Sequence, residues 1–434
     1  MDPNTLVILL IGGLILLLVS GIPIAFALLI PGLIVLYLMG GSTLWGAVAA
    51  IALNLGTSFV FTAVPLFILM AEIFHVSGLS GRLYDTASKW LRNVPGGLAI
   101  SSIVAAMGFA AICGSSMATA ATIGLISTPE MESRNYDSGF AIGVVAAGGT
   151  LGILIPPSIP MIIYGEMTDT SVGRLFMAGI IPGIILSGLL MLAVLILVKI
   201  RPRLAPTISE VSSWKEKLLS LRSVWGSLVI VVIVMGGIYT GVMTPTEAAA
   251  AGAFSALVLM VISQKGFNLS QMGGAAVAAA RTTAWILFLI TGGMTFGYAL
   301  TLLKIPAQLT AMVVGLEVNR WVIIIWINLA LIVMGCLIDP LTMLLISIPL
   351  LVPIIVSLGF DPIWFGVVFV VNMELANITP PVGLNLFVLS GITGRPLGTI
   401  ILGVIPFIFA LCVGLAIVIA FPELSLWLPS TMIG

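Results

Sequence analysis

Two Pro-Pro pairs interrupt apolar stretches of this 434-residue chain, and their chemistry suits ion binding. They are Pro156-Pro157 and Pro380-Pro381, separated by 380 − 156 = 224 residues. Proline has no backbone N–H and its ring clashes with the preceding helical turn, so each pair frees carbonyl oxygens upstream. Such oxygens suit a hard cation such as Na⁺, and the start of the half-helix that follows suits a carboxylate. A single pair could be a simple kink, but the fixed repeat favours two broken helices with binding sites.

Hydroxyl and carboxylate side chains occupy matching places in two further apolar segments, each before one Pro-Pro pair. Ser115 and Ser116 lie in the first segment with Thr119, and the 224-residue interval maps Ser115 onto Asp339, which Thr342 follows. Serine and threonine in membrane helices usually bond to their own backbone. A carboxylate in the bilayer costs several kcal/mol and is a functional candidate by default. A bound cation is the natural counter-charge for Asp339; the alternative is a carboxylate that caps a half-helix at the aqueous face.

The second Pro-Pro pair has the more polar surroundings. Glu374, Asn377 and Thr379 precede it, where the first copy has mostly apolar residues. This half is therefore expected to carry more of a cation or substrate site. Glu374 could instead pair with Arg395 or Arg281.

The amino-acid composition indicates that lipid surrounds much of the chain. Hydrophobic residues make up 60% of the chain, charged residues only 7%, and the mean hydropathy is +1.28, which is typical of a membrane protein. Apolar runs of about 20 residues, enough to cross a bilayer, recur along almost the whole length. Three cysteines in apolar stretches argue against a disulfide framework, and one histidine leaves no His-rich metal cluster. The N-terminus lacks the basic region of a signal peptide, so its first apolar segment is expected to stay in the protein.

We predict an all-α polytopic membrane protein built as an inverted-topology repeat, with two re-entrant helical hairpins and two broken transmembrane helices. The hairpins are expected at 98–130 and 321–354, because these apolar segments are interrupted by Gly, Ser, Asp and Pro. The full spans, with the broken helices at 140–165 and 365–390, are expected at 5–20, 23–40, 58–78, 140–165, 176–199, 224–242, 245–264, 283–303, 365–390 and 400–421.

The two copies are assigned to residues 1–205 and 223–434, joined by a basic linker at 206–222. Five spans and one hairpin per copy give an odd number of crossings, so the second copy must run in the opposite orientation. The basic residues around the linker place it in the cytoplasm and the N-terminus in the periplasm. Lys304 and Arg320 then fall on the outer side, a mild violation of the charge rule.

The motifs resemble those of the large membrane subunit of tripartite ATP-independent periplasmic (TRAP) transporters, over essentially the full chain. The resemblance rests on GSSMATAATIG followed by PEM, GGTLGILIPPSIPMIIYG, LFMAGIIPG and ITPPVGLNLFVLSG. It implies a Na⁺-driven elevator-type transporter of the bacterial inner membrane. The hairpins and broken helices would form the moving transport domain, and the other spans would form a scaffold. It also implies two partners, a small four-span membrane subunit and a soluble periplasmic substrate-binding protein, and an organic-acid substrate; sialic acid is favoured over a C4-dicarboxylate.

The resemblance also assigns roles to individual positions. Residues near the tips and breaks would bind Na⁺, and those around the start of the first half-helix would bind the substrate. The Na⁺ ligands would be Ser115, Ser116, Gly149 and Ile153 in the first copy and Asp339, Thr342, Asn377, Thr379 and Gly383 in the second. The substrate-binding residues would be Ser116, Thr119, Pro157, Ser158 and Asn385.

Other functions remain open at this point. A stand-alone Na⁺-coupled dicarboxylate symporter or an ion antiporter could share inverted hairpin repeats. An enzyme is disfavoured, because the sequence has no HExxH motif, no Gly-rich phosphate loop and little acid–base capacity with one histidine. No organic cofactor and no nucleic-acid partner are expected.

Overall fold

A computed structural model describes residues 2–206, 212–264 and 269–432. Over these residues the chain is helical, with short turns and no β-strand. The helices of the first half are α1 Pro3–Val19, α2 Ile24–Gly40, α3 Ser42–Thr57, α4 Ala63–Val76, α5 Leu79–Leu91, α6 Gly97–Cys113, α7 Ser116–Ser133, α8 Ser138–Thr150, α9 Ile159–Met167 and α10 Val172–Ile200.

The second half begins with a helix that is longer than α1. Its helices are α11 Trp214–Val231, which a π-helical turn continues into α12 Gly237–Tyr239, then α13 Pro245–Gln264, α14 Leu269–Leu302, α15 Ile305–Val314, α16 Arg320–Gly335, α17 Pro340–Ser357, α18 Pro362–Ile378, α19 Leu384–Thr393, α20 Leu397–Ala420 and α21 Glu423–Ser430.

Six of these helices are long and apolar enough to cross a membrane, and α4 with α5, bent by 66°, would make a seventh. The six include α10, α14 and α20, and also α17, the second helix of the 321–354 segment. Many exposed side chains are large and apolar, among them Leu402 and Phe409 on α20. An apolar exterior on a helical protein is what a lipid solvent requires. The chain is therefore an all-α polytopic membrane protein.

Each segment expected to form a hairpin contains two helices separated by a short turn. In the first, Gly114 has a positive φ of 66°, and the Ser115 hydroxyl accepts a hydrogen bond from the Ala118 amide at 3.4 Å. In the second, the Asp339 carboxylate accepts from the Thr342 amide at 3.1 Å, and Pro340 takes the first helical position. Side-chain caps and proline at the helix start end one helix and begin the next locally.

Both Pro-Pro pairs interrupt helices. The first interruption, which we call the first break, comprises residues 154–158 between a 3₁₀ turn after α8 and the start of α9. The second break comprises residues 379–383 between α18 and α19. Both Pro-Pro peptide bonds are cis. Residues 151–160 are all buried, whereas Pro381 in the second break is exposed.

The 224-residue interval relates helices as well as prolines. Adding 224 to the bounds of α7, 116–133, gives 340–357, which are the bounds of α17. The same shift carries the start of α8 at 138 onto the start of α18 at 362. It also carries α3 and α4 onto 266–281 and 287–300, and the single helix α14 spans both of these ranges from Leu269 onward. The duplicated halves therefore differ chiefly in this region, where the first copy has two helices and the second copy has one.

Several predicted boundaries were wrong. The spans 58–78 and 283–303 begin instead at Ala63 and Leu269 in the structure, and no prediction was made for α3, α5, α15 or α21. Alanine-rich, weakly apolar stretches such as the start of α14 have high helix propensity without a strong hydrophobic signal.

The predicted linker 206–222 was also wrong in part, because α11 begins inside it at Trp214. The Ser213 hydroxyl accepts from the Glu216 amide at 3.2 Å, and the Glu216 carboxylate accepts from the Ser213 amide at 2.8 Å. This reciprocal pair is a capping box, which fixes the start of a helix locally.

Glycines let helices of the two halves approach closely. A Cβ placed on Gly143 of α8 would overlap the carbonyl oxygen of Gly403 of α20, and one on Gly403 would overlap the carbonyl oxygen of Gly139. Neither position has room for a side chain. The first broken helix is thereby held directly against the last long helix of the second half.

Candidate functional site

The turn between α6 and α7, which we call the first tip, packs against the first break. A Cβ on Gly114 would lie 2.6 Å from the Pro157 carbonyl oxygen, and one on Gly152 would lie 2.5 Å from the Ser115 carbonyl oxygen. The Ser116 hydroxyl donates to the Thr150 carbonyl at 3.0 Å. Six predicted site residues, separated by up to 43 positions in sequence (158 − 115), therefore lie close together. They are Ser115, Ser116, Gly149, Ile153, Pro157 and Ser158.

The first break has polar backbone in a buried setting. The Ser158 hydroxyl donates to the Ile153 carbonyl and accepts from the Met161 amide at the start of α9. Within the described part of the chain, no hydrogen bond reaches the carbonyl oxygens of Ile155, Pro156 or Pro157. Buried carbonyl groups are normally paired. These oxygens are thus available to a ligand.

Several hydroxyl groups of the first tip already donate their proton to carbonyl oxygens. Thr119 donates to the Ser115 carbonyl at 2.8 Å, as Ser116 does to Thr150. A hydroxyl that donates its proton still has two oxygen lone pairs to offer. Both side chains can therefore contribute oxygen to a cation without losing these bonds.

The turn between α16 and α17, the second tip, also touches its break. The Val382 amide donates to the Cys336 carbonyl at 3.3 Å, and a Cβ on Gly335 would lie 2.5 Å from the Cβ of Ala376. The half-buried Asp339 accepts a hydrogen bond from the Thr342 hydroxyl as well as from its amide. Asp339 therefore caps α17, which is the alternative role considered for it, and its role as a cation ligand stays a prediction.

The remaining predicted ligands lie around the second break. Thr379 donates to the Leu375 carbonyl at 2.6 Å, Asn377 is buried in the last turn of α18, and Gly383 has a positive φ of 54°. The Asn385 amide group donates to the Ala146 carbonyl of α8 at 3.4 Å, a contact across the two halves. No hydrogen bond or ion pair joins the first tip to the second tip in the described ranges. The predicted residues therefore form two clusters, with Asn385 reaching from the second half to the first.

Glu374 pairs with neither Arg395 nor Arg281, the two partners considered for it, because neither of its carboxyl oxygens has a hydrogen-bond partner among the residues described. Arg395 forms an ion pair with Glu132 at 3.0 Å, and Glu132 also accepts from the Ser138 hydroxyl at 2.6 Å. This link between the end of α7 and the loop after α19 was not predicted from the sequence. Nor was the contact between His75 Nδ1 on α4 and the Thr122 hydroxyl on α7 at 3.2 Å. Both join residues far apart in sequence, and no local pattern marks them.

The site has oxygen donors for a cation. No group of three or more His, Cys, Asp or Glu side chains that could hold a metal occurs in the portion that the structure describes. What the geometry offers is carbonyl and hydroxyl oxygen at broken helices, together with helix starts. Interrupted helices with such oxygen atoms are typical of membrane transporters.

The family profile described as "Tripartite ATP-independent periplasmic transporter, DctM component" matches residues 11–424. The chain belongs to this family and is a large permease subunit of a TRAP transporter. It is 39% identical over 372 residues to the C4-dicarboxylate TRAP transporter large permease protein DctM of Pseudomonas aeruginosa, covering 86% of each chain. It is 33% identical over 420 residues to the sialic acid TRAP transporter large permease protein SiaM of Vibrio cholerae, covering 96% of this chain and 97% of that one.

A solved structure shares the fold. The YdaH transporter of Alcanivorax borkumensis, described as having an unusual topology, aligns with a TM-score of 0.60 at 17% identity. The alignment covers 85% of this chain and 88% of that one. The relatives named above are permeases, a class of transport protein and not of enzyme. The family prediction is thus confirmed, and the protein is a multi-pass membrane transport component.

Proposed function

We propose that this subunit carries out Na⁺-coupled secondary active uptake of an organic acid across the bacterial inner membrane. The observation that carries the proposal is the buried first break, where three consecutive carbonyl groups accept no hydrogen bond from the described residues and the last of them, at Pro157, lies against Gly114 of the first tip. Unwound backbone at membrane depth is tolerated where it lines a site. Coupling ions and substrates of secondary transporters bind at such breaks.

Two Na⁺ sites follow from the two tip–break clusters. The first would use the Ser115 and Ser116 hydroxyls with backbone carbonyls between Gly149 and the first Pro-Pro pair. The second would use the Asp339 carboxylate, the Thr342 and Thr379 hydroxyls and the Asn377 amide, with backbone near Gly383. A carboxylate in the second site offsets the charge of its cation, whereas the first relies on neutral oxygens.

The substrate carboxylate would bind beside the first tip. Ser158 caps α9, a helix of nine residues whose first turn directs amide groups and a positive dipole end toward the break. Ser116 and Thr119 approach this break from α7, and Asn385 approaches α8 from the second half. Substrate and coupling ions would thus bind at the same tip, so binding of one would favour binding of the other.

An elevator motion would carry these clusters across the membrane. The tips and breaks, with their helices, would move as one transport domain against a scaffold of the remaining spans. Helix α17 packs on the scaffold helix α14, where a Cβ on Gly293 would lie 2.7 Å from the Cβ of Leu345. The N-terminus would be periplasmic and the segment 199–222 cytoplasmic.

Two partners would complete the transporter. A small four-span membrane subunit would cover apolar scaffold surface, and a periplasmic binding protein would deliver the substrate. A C4-dicarboxylate is the first substrate to test, because the 39% identical relative is named for it. Sialic acid, which was expected from the family resemblance without any residue that decides it, is the second candidate.

Reconstitution tests the proposal. The subunit, co-purified with its small membrane partner, is placed in liposomes, and uptake of radiolabelled succinate or sialic acid is measured with the cognate binding protein outside. We expect accumulation only with an inward Na⁺ gradient and only with the binding protein. Ser115→Ala and Asp339→Ala are expected to lose it, whereas Ser133→Ala, at an exposed hydroxyl on α7, is expected to keep it. Full Na⁺-driven uptake by both site variants would refute the site, and uptake without a binding protein would indicate a stand-alone symporter.

A further inference from the structure

Glu374 is a buried carboxyl group with no partner. It lies in α18, four residues before the helix ends at the second break, and its exposed fraction is 0%. Neither carboxyl oxygen makes a hydrogen bond. Its helical neighbours Met373 and Leu375 are apolar and equally buried. Nothing that α18 itself supplies stabilises a charge at this position.

The elements around α18 supply no counter-charge. They carry Asp137 and Asp339 at caps, Glu166 on α9, Arg174 and Lys199 on α10, Arg320 on α16, and Glu423 on α21. Among the described residues, none of these forms an ion pair or a hydrogen bond with Glu374. Arg320 lies over the Phe360 ring at 4.9 Å, and Arg395, in the loop after α19, is paired with Glu132.

The carboxyl group faces the first break. It lies beside the backbone of Leu154 without forming a hydrogen bond of ordinary geometry. Since α18 runs on into the second break, Glu374 lies between the two interrupted helices. The 224-residue interval places Thr150 at the matching position of the first copy, and that hydroxyl is satisfied by the Ala147 carbonyl at 2.7 Å. The unpartnered acid is thus a feature of the second copy alone.

An ionised carboxyl in such a setting is strongly unfavourable. Burying a charge without a partner costs far more free energy than a single hydrogen bond returns. The carboxylate must therefore be neutralised by a bound positive ion. A monovalent cation, either a proton or Na⁺, meets this need. Both are carried by ion-driven transporters, and ionisable groups inside membrane proteins commonly mark such pathways.

We propose that Glu374 binds one monovalent cation between the two breaks, in addition to the cations of the tip sites, and carries it through the transport cycle. The coupling part of this inference rests on the proposed function, whereas the binding part does not. The bound cation neutralises the acid in this position, and its release would leave a bare carboxylate between the breaks. The domain is therefore expected to move readily only with the cation bound.

The binding part is tested by equilibrium linkage on the purified complex. Thermal stability is measured from pH 5.5 to 8.5 at fixed NaCl, and from 1 to 300 mM NaCl at fixed pH with choline chloride holding the ionic strength. A bound cation makes stability depend on its concentration. The slope of stability against pH, or against the logarithm of the Na⁺ concentration, gives the number of cations bound on folding. We expect this number to be one lower for Glu374→Gln in one of the two titrations. A change in the pH titration identifies the cation as a proton, and a change in the NaCl titration identifies it as Na⁺. Identical slopes for wild type and variant in both titrations would overturn the proposal.

The variant is suited to this test because glutamine keeps the shape of the side chain and removes its charge. Replacing an uncompensated buried charge by a neutral group is often neutral or stabilising. We therefore expect Glu374→Gln to melt no lower than wild type in the absence of the cation. Glu423→Gln, at an exposed acid on α21, is the matched control and should leave both slopes unchanged.

The coupling part is tested by the ratio of charge to substrate moved in proteoliposomes. We expect Glu374→Gln to move one positive charge fewer per substrate than wild type. An unchanged ratio in a variant that still transports would refute the coupling role. If wild type shows no ion-driven uptake but the linkage difference remains, the proposed function fails while the binding site stands.

Discussion

Substitution of Gly152 by alanine probes the contact between the first tip and the first break. The added Cβ would lie 2.5 Å from the Ser115 carbonyl oxygen and 2.7 Å from the Thr119 hydroxyl oxygen. Ordinary contact begins at about 3.4 Å, so the tip must retreat by about 0.9 Å (3.4 − 2.5). Backbone cannot rotate away as a flexible side chain can. The substitution is therefore expected to separate the tip hydroxyls from the break carbonyls.

The expected consequences differ in size. Overpacking of this kind costs about 1–3 kcal/mol of stability. A displacement of about 1 Å at a site that depends on positioning can cost about 100-fold in activity. We expect Gly152→Ala to lower the melting temperature modestly and to weaken Na⁺ affinity by about 10- to 100-fold. Na⁺ titrations followed by thermal stability, together with Na⁺-driven uptake, measure both effects.

Two control variants separate site damage from general destabilisation. Gly366→Ala overpacks a region where its Cβ would lie 2.8 Å from Leu175 and Tyr164 side-chain atoms, so it should lower stability but keep Na⁺ affinity. Gly188→Ala in α10 meets no atom within 4 Å and should change neither. If Gly152→Ala binds Na⁺ as wild type does, the tip and break do not form the cation site together.

Two further predictions follow from single contacts. Asp339→Asn keeps the shape of the cap to Thr342 but removes the charge. Na⁺ affinity, measured by calorimetric titration, should therefore fall at least tenfold while the melting temperature changes little. Unchanged affinity would exclude this carboxylate from the site. Thr122→Val removes the 3.2 Å contact with His75, which joins α4 to α7 and, in the proposed elevator arrangement, the scaffold to the transport domain. Loss of about 1 kcal/mol at this contact should change the equilibrium between transporter conformations about fivefold. Single-molecule fluorescence measures this change. An unchanged equilibrium would show that the contact does not stabilise the conformation described here.

Features encoded by a few neighbouring residues were predictable. The Pro-Pro pairs predicted interruptions near 156 and 380, and the structure has non-helical backbone at 154–158 and 379–383. A serine and an aspartate at the tips act as helix caps, which is a local property of residue type and position. Helix ends set by weakly apolar sequence were less predictable, as the early starts of α11 and α14 show.

Contacts between distant residues were not predictable from one sequence. Arg395 pairs with Glu132, 263 positions earlier, and Asn385 bonds to Ala146, 239 positions earlier. Sequence analysis offered Arg395 and Arg281 as partners for Glu374, and Arg395 proved to be taken. A charged side chain can pair with any opposite charge within reach, and only the packed chain fixes which charges lie within reach.

The sequence by itself determined that the chain lives in lipid, that it is duplicated, and where its helices must break. Composition and the 224-residue interval can be counted directly along the chain, and the covalent geometry of proline acts only on its immediate neighbours. Only the tertiary structure decided that Gly152 presses on Ser115 and that Glu374 has no partner. Both depend on how separate helices pack, and close packing leaves room for one arrangement of neighbours at each position.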